Sequence, residues 1–199
     1  QNKSIILTGH QYTIIPSGSE LSSNQRLRKY GLYNAGFFAL KTNETGLQFL
    51  DWWKRILFTK CIRDDNKGIY YDQTWLDLVP NYFDGQCFIL RDLGYNVAYW
   101  NWSERKFSVK DQHIYINNTT PLVFYHFARY NYHNPSALEN YTTLNNDPVL
   151  LDIFVDYREK LEENLIEKYQ PFRLPKKTTM YEKLKLSLKY RLGSIIEKI

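Results

Sequence analysis

The stretch Thr45 to Lys60 sets the strongest constraint on what this chain can become. Phe49 or Leu50, Trp53, Ile56 or Leu57 and then Cys61 recur at spacings of three and four, with Asp51, Lys54 and Arg55 on the opposite side, which is the pattern of an amphipathic helix. Such a helix needs an apolar surface to cover. Short runs supply it: Lys3 to Thr8, Leu32 to Leu40, Phe88 to Leu90, Asn96 to Trp100, His113 to Asn117 and Leu122 to Phe127 read as strands, with Asp-Leu-Gly, Ser-Glu-Arg-Lys and Asn-Asn-Thr-Thr-Pro turns among them. Thr13 to Lys29 reads as a polar, Ser-rich loop carrying Pro16, Gly18 and the basic cluster Arg26, Arg28 and Lys29. Ile69 to Val79 turns into a short helix that Pro80 stops. Pro148 to Lys168 predicts a second long helix, with Asp147 as N-cap and Pro148 at its first position, where the missing N–H costs nothing. Helices interleaved with strands define an α/β chain with a mixed sheet.

Composition narrows the function classes. The 199 residues are 43% hydrophobic and 17% aromatic, enough for a packed core in one domain or most of one. The net charge is +5, and residues 176–199 alone, with seven basic and two acidic side chains, account for all of it. The excess basicity therefore belongs to the tail and the body is neutral overall, which argues against nucleic acid as a partner. Cys61 and Cys87 have no His or Cys at ligand spacing and are expected to be buried free thiols in a reducing compartment. Six Asn-x-Ser/Thr sequons, at Asn2, Asn43, Asn101, Asn117, Asn118 and Asn140, read as a product of high Asn content. With no apolar run of membrane-spanning length and no signal-peptide pattern, a cytoplasmic protein is expected.

Several residues admit both a chemical and a structural role. The carboxamide of Asn34 both donates and accepts, and Gly36 lets the backbone approach a ring, or else only eases packing of Phe37 and Phe38. Asp72 is either the N-cap of the helix after it or a carboxylate that deprotonates an acceptor hydroxyl or stabilises oxocarbenium-like charge. Gln73 then offers a neutral hydrogen-bonding group. Trp75 is either an aromatic face for a sugar ring or core, with Leu76 and Val79. His126, at the end of an apolar strand, is either a satisfied structural residue or a ligand for a divalent ion. Arg129 is either a phosphate clamp or solvated.

Taken in order, Leu7-Thr8-Gly9-His10, Tyr33-Asn34-Ala35-Gly36-Phe37, Asp51-Trp52-Trp53, Tyr71-Asp72-Gln73-Thr74-Trp75-Leu76-Asp77-Leu78-Val79-Pro80, Tyr95-Asn96-Val97-Ala98-Tyr99-Trp100-Asn101 and Phe124-Tyr125-His126-Phe127 resemble a known family. It is the second half of bacterial GT-A-fold, nucleotide-sugar glycosyltransferases of polysaccharide clusters, and the motifs are more distantly similar to glycogenin and the lipopolysaccharide galactosyltransferases. The resemblance covers roughly Ile5 to Tyr130. It implies transfer of a sugar from a nucleotide-diphosphate donor to a glycan or lipid-linked acceptor, or, if catalysis has been lost, a sugar-binding or scaffolding module. It implies that Asn34, Gly36 and Arg129 face the donor sugar, that Asp72 and Gln73 sit at the reacting centre, and that Trp75, Tyr99 and Trp100 bind the acceptor. It also implies that His126 contributes to a site for Mn²⁺ or Mg²⁺.

Two departures stand out: Gly9 precedes His10 where the relatives usually have proline, and no Asp-x-Asp occurs anywhere in the chain. The main metal ligands and the nucleotide-binding units are accordingly expected upstream of Gln1, so that the covered piece by itself is inactive. On this reading residues 1–147 are the donor-sugar and acceptor half of the domain, 148–175 a helix and Pro-containing linker, and 176–199 a basic amphipathic tail. In that tail Tyr181, Leu184, Leu188, Leu192, Ile195 and Ile199 fall at helical spacing, although residues 183–192 alone alternate like a strand. A helix there either rests on an anionic membrane surface, on the inner face, or docks on the protein.

Overall fold

The computed structural model describes residues 3–14, 20–132 and 147–169; the tail expected at 176–199 lies outside them. The chain is α/β and divides into two compact units, Gln1–Val149 and Leu150–Ile199.

The first unit is built on a three-stranded mixed sheet. β1 (Ile5–Gly9) lies in the middle, antiparallel to β2 (Tyr33–Leu40) and parallel to β5 (Cys87–Ile89). Helix α2 (Glu44–Lys60) covers this sheet and starts one residue before the periodic stretch that predicts it. Its N-cap, Asn43, accepts from the Gly46 N–H at 3.0 Å and donates to Ser4 Oγ at 3.0 Å, so one sequon asparagine serves to start a helix. Phe49 is fully buried with Ile5, Leu7, Leu76 and Val79, and Trp53 meets Phe38 edge to face at 5.1 Å. Each such side chain contributes about 1.5–3 kcal/mol by leaving water. Leu50, the alternative to Phe49 in the sequence pattern, is 43% exposed.

Two small sheets flank this layer. β3 (Ile62–Asp64) and β4 (Ile69–Tyr71) form a hairpin that neighbouring charged residues hid from the strand pattern. β6 (Phe107–Lys110), β7 (His113–Ile116) and β8 (Thr120–Pro121) form a meander. Asp111 and Gln112, with φ of 49° and 63°, make the two-residue left-handed turn that matches strand twist between β6 and β7.

Several expectations are corrected. The segment expected to be loop contains helix α1 (Glu20–Tyr30), whose scarcity of apolar residues gives no periodic stripe to detect. Pro80 does not stop a helix. A 3₁₀ turn (Thr74–Leu78) runs into α3 (Val79–Tyr82) with Pro80 in its first turn, where its missing N–H is harmless. Asn96 to Trp100 and Leu122 to Phe127 are not strands but meet at a single parallel bridge, Val97 to Tyr125. The cause is local. Asn96 has φ of 50°, and the Asn101 side chain accepts from Ala98 N at 3.0 Å and donates to Asn96 O at 3.1 Å, wrapping the chain into a 3₁₀ turn over Tyr99–Glu104. Both cysteines are free, as expected, but Cys61 is exposed.

The helix that begins at Pro148, all but its first two residues in the second unit, runs to Glu163 and carries exposed i,i+4 ion pairs, Asp156 with Lys160 and Arg158 with Glu162. It breaks short of the expected end because Leu165 is left-handed (φ 59°) and Asn164 Nδ2 bonds back to Lys160 O at 2.7 Å. Among the described residues no helix is long and apolar enough to cross a membrane.

Candidate functional site

Between Leu7↔Phe38 and Gly9↔Tyr33 the pairing of β1 and β2 slips, so that Thr8 alone stands opposite Asn34, Ala35, Gly36 and Phe37. That bulge turns the Asn34 side chain out of the ladder and into the protein, where it becomes 5% exposed. Its amide oxygen accepts from Gly36 N at 2.8 Å and from Asn96 Nδ2 at 3.0 Å. Its amide nitrogen donates to Gln73 Oε1 at 2.9 Å and lies 3.0 Å from His10 Nε2. Gln73 Oε1 also accepts from Ala35 N at 3.1 Å, and Gln73 Nε2 donates to Tyr30 O at 2.8 Å. Asn96 Nδ2 reaches Thr8 Oγ1 at 3.2 Å, and Asn96 Oδ1 faces His126 Nδ1 at 3.0 Å.

This network floors a cavity of about 440 Å³ lined by His10, Gln11, Arg26, Leu27, Tyr30, Asn34, Tyr70, Gln73, Tyr99, Trp100, His126, Ala128 and Arg129. Its wall is aromatic: Trp100 stands edge-on to His10 at 5.6 Å and to His126 at 5.1 Å, and the Arg129 guanidinium lies 5.1 Å from the centre of the Tyr99 ring. Two arginines and no carboxylate occur among the described lining residues, so the cavity favours an anion. Two buried nitrogens in its lining, His10 Nδ1 and Trp100 Nε1, have no hydrogen-bond partner among the described residues.

Of the residues singled out in the sequence, Asn34, Gln73, Tyr99, Trp100, His126 and Arg129 come together here. Asn34 has both oxygen lone pairs and both N–H groups engaged by the protein, leaving none for a sugar hydroxyl. Gly36 is needed for a close approach, that of His126: a Cβ at position 36 would sit 2.3 Å from His126 Cε1 and 2.5 Å from Asn34 Oδ1. Asp72 and Trp75 do not line the cavity. The Asp72 carbonyl accepts from Trp53 Nε1 at 3.3 Å, and the following 3₁₀ turn has Gln73, not Asp72, at its N-cap. His10 and Asn96 stood in the sequence motifs without an assigned role. Their signal was a polar residue near an apolar run, residues 5–7 before His10 and 97–100 after Asn96, which alone does not separate a site from a turn.

Burial holds His10 neutral, lowering its pKa from 6.5 to about 4. The nearby carbonyls of Gly31 and Leu32 oppose this, although neither meets hydrogen-bond geometry at Nδ1, and the neighbouring His126 lowers it further. Since the unfolded chain takes up this proton near pH 6.5 and the folded one only near 4, the stabilisation is complete above 6.5 and is lost as pH falls towards 4. The expected loss is about 3 kcal/mol. Urea unfolding between pH 7 and 4 is expected to show a slope that His10→Gln flattens; an unchanged slope in the variant would assign it elsewhere.

For a divalent cation the described residues provide little. Among them no group of three or more His, Cys, Asp or Glu can hold a metal ion. Nε2 of His10 is taken by Asn34, and His126 Nε2 fits one position of a coordination sphere.

The chain is 34% identical over 117 residues to the uncharacterized protein YfnF of Bacillus subtilis (strain 168), a match covering 59% of this chain and 38% of that protein. It is 31% identical over 100 residues to the uncharacterized protein YfnD of the same organism, covering 49% of this chain and 32% of the relative. The chain thus spans about a third of the length of the curated relatives it matches. No family model and no solved structure matches it.

Proposed function

We propose that this chain is the donor-sugar and acceptor half of a GT-A-fold glycosyltransferase, acting in a longer protein that transfers sugar from a nucleotide diphosphate to a glycan or lipid-linked acceptor. One observation carries the reading: residues from five of the six resembling motifs, far apart in sequence, line or floor one cavity of about 440 Å³. Its chemistry suits such a donor. Arg26 and Arg129 complement a diphosphate, Tyr99 and Trp100 offer faces to a ring, and Gln73 keeps one N–H beyond its bond to Tyr30 for a hydroxyl. His126 supplies one ligand to Mn²⁺ or Mg²⁺, with the remaining ligands outside the described residues. The basic segment 176–199 holds the enzyme on an anionic inner membrane face where lipid-linked acceptors lie.

A second reading, a sugar-binding module without catalysis, is favoured by one feature: among the described lining residues no carboxylate stands ready to act as base. Calorimetry and turnover assays on the full-length protein with UDP-, dTDP- and GDP-sugars and Mn²⁺ separate the two. Transfer, together with at least about tenfold weaker nucleotide binding in Arg129→Ala, is the expected result, since a charge-assisted bond to phosphate contributes about 1.5–3 kcal/mol. Sugar binding without turnover and without metal dependence supports the module. No affinity for any nucleotide sugar removes the glycosyltransferase reading.

A further inference from the structure

The polarity of the amide network is fixed by the backbone. An N–H of the main chain can only donate, so the Gln73 atom facing Ala35 N at 3.1 Å is oxygen, and the Asn34 atom facing Gly36 N at 2.8 Å is oxygen. The Asn96 atom 3.0 Å from that Asn34 oxygen must then be the amide nitrogen, which leaves Asn96 Oδ1 to face His126 Nδ1 at 3.0 Å. An amide oxygen accepts only. His126 Nδ1 therefore carries a proton, and in the neutral ring Nε2 carries the lone pair. Nε2 has no partner among the described residues and is not one of the buried unpaired atoms, while the ring itself lines the cavity.

We propose that Asn96 is a positioning residue that holds His126 as the Nδ1–H tautomer and so presents an acceptor, Nε2, to whatever enters the cavity. The selection originates at the N–H groups of Ala35 and Gly36 and passes through Asn34, which explains why a bulge and a glycine stand at this point of β2. Asn96 is 1% exposed and touches the cavity only through its partners, so its effect on a ligand is exerted through the imidazole. The shared chemistry of the ligand group is an electron-pair acceptor, either a sugar hydroxyl proton or a divalent cation. A ligand offering a lone pair, such as a carbonyl or phosphate oxygen, is rejected at this nitrogen. His10 differs: the same Asn34 amide points N–H at its Nε2, so its lone pair is already engaged.

The identity of the ligand group rests on the glycosyltransferase reading, but the tautomer does not, and the test keeps them apart. In nitrogen NMR of the full-length protein labelled at histidine, at a pH where the rings are neutral, His126 is expected to show a protonated Nδ1 and an unprotonated Nε2. Asn96→Leu removes the acceptor oxygen and returns signal to the Nε2–H form. If Asn96→Leu does not fold, the wild-type spectrum still decides, because a protonated Nε2 there overturns the proposal. So does an Asn96→Leu protein that folds and keeps the wild-type tautomer. Titration with Mn²⁺ alone then distinguishes the sources: selective broadening of the His126 ring identifies a cation, whereas a shift of Nε2 only on addition of a sugar nucleotide without metal identifies a hydroxyl.

Discussion

Glu104→Ala is expected to destabilise the protein by about 3–5 kcal/mol, the cost of stranding a buried charge whose partner has been removed. The Glu104 and Arg105 side chains are 0% and 1% exposed and pair at 3.0 Å. The other Glu104 oxygen accepts from Tyr12 N at 2.5 Å and also from Thr13 N, so the carboxylate clamps the loop that follows His10. Arg105 reaches on to the carbonyls of Leu93 and Asn101, each at 3.0 Å. Deleting the carboxylate leaves the guanidinium without its counter-charge and two backbone donors without an acceptor. Urea unfolding measures the loss, and a change below about 1 kcal/mol would mean that water reaches the pair. Removing both charges, in Glu104→Ala with Arg105→Leu, is expected to recover part of the loss, because the unpaired cation is gone.

Asn34→Leu is expected to have the second largest effect. It keeps the volume roughly constant but strips partners from Gly36 N, Asn96 Nδ2, Gln73 Oε1 and His10 Nε2. A buried polar group left unsatisfied costs about 1–3 kcal/mol, and two of these groups, Gly36 N and His10 Nε2, have no second partner among the described residues. For a chain of this size each kcal/mol lowers the melting temperature by about 2–4 °C. Thermal unfolding should therefore shift well beyond what a surface change produces, with binding of any cavity ligand lost alongside. A shift under about 2 °C would show that the network is dispensable for folding.

What could be read in the sequence follows how local the forces are. Helix α2 was legible because its stripe is carried by one periodic segment, β1 because it is a short apolar run, and β2 because most of its residues are apolar. Helix α1 was not, since its few apolar residues form no stripe. The Asn96–Trp100 segment failed for the opposite reason: an apolar, strand-like run is overruled by one asparagine side chain, Asn101, that bonds its backbone into a turn. The site was half legible. The polar residues Asn34, Gln73 and His126 could be named, but not that Asn34 and Gln73 mostly hold each other, since spacing in sequence says nothing of which amide meets which. Asp72 shows the converse: a carboxylate of the right type, one residue from Gln73, that the 3₁₀ turn carries away from the cavity.

The slip in pairing opposite Thr8 makes the length of Asn34–Phe37 matter as much as its residue types. Side chains along a strand alternate faces with a period of two, so removing or adding one residue here would exchange inside and outside for everything beyond it. On one side that would turn Phe38 and Leu40 away from α2, and on the other it would take Asn34 out of reach of Asn96. Substitutions in this segment can be tried one at a time, but its count of residues is common property of the core and the cavity, and a deletion there strikes both at once.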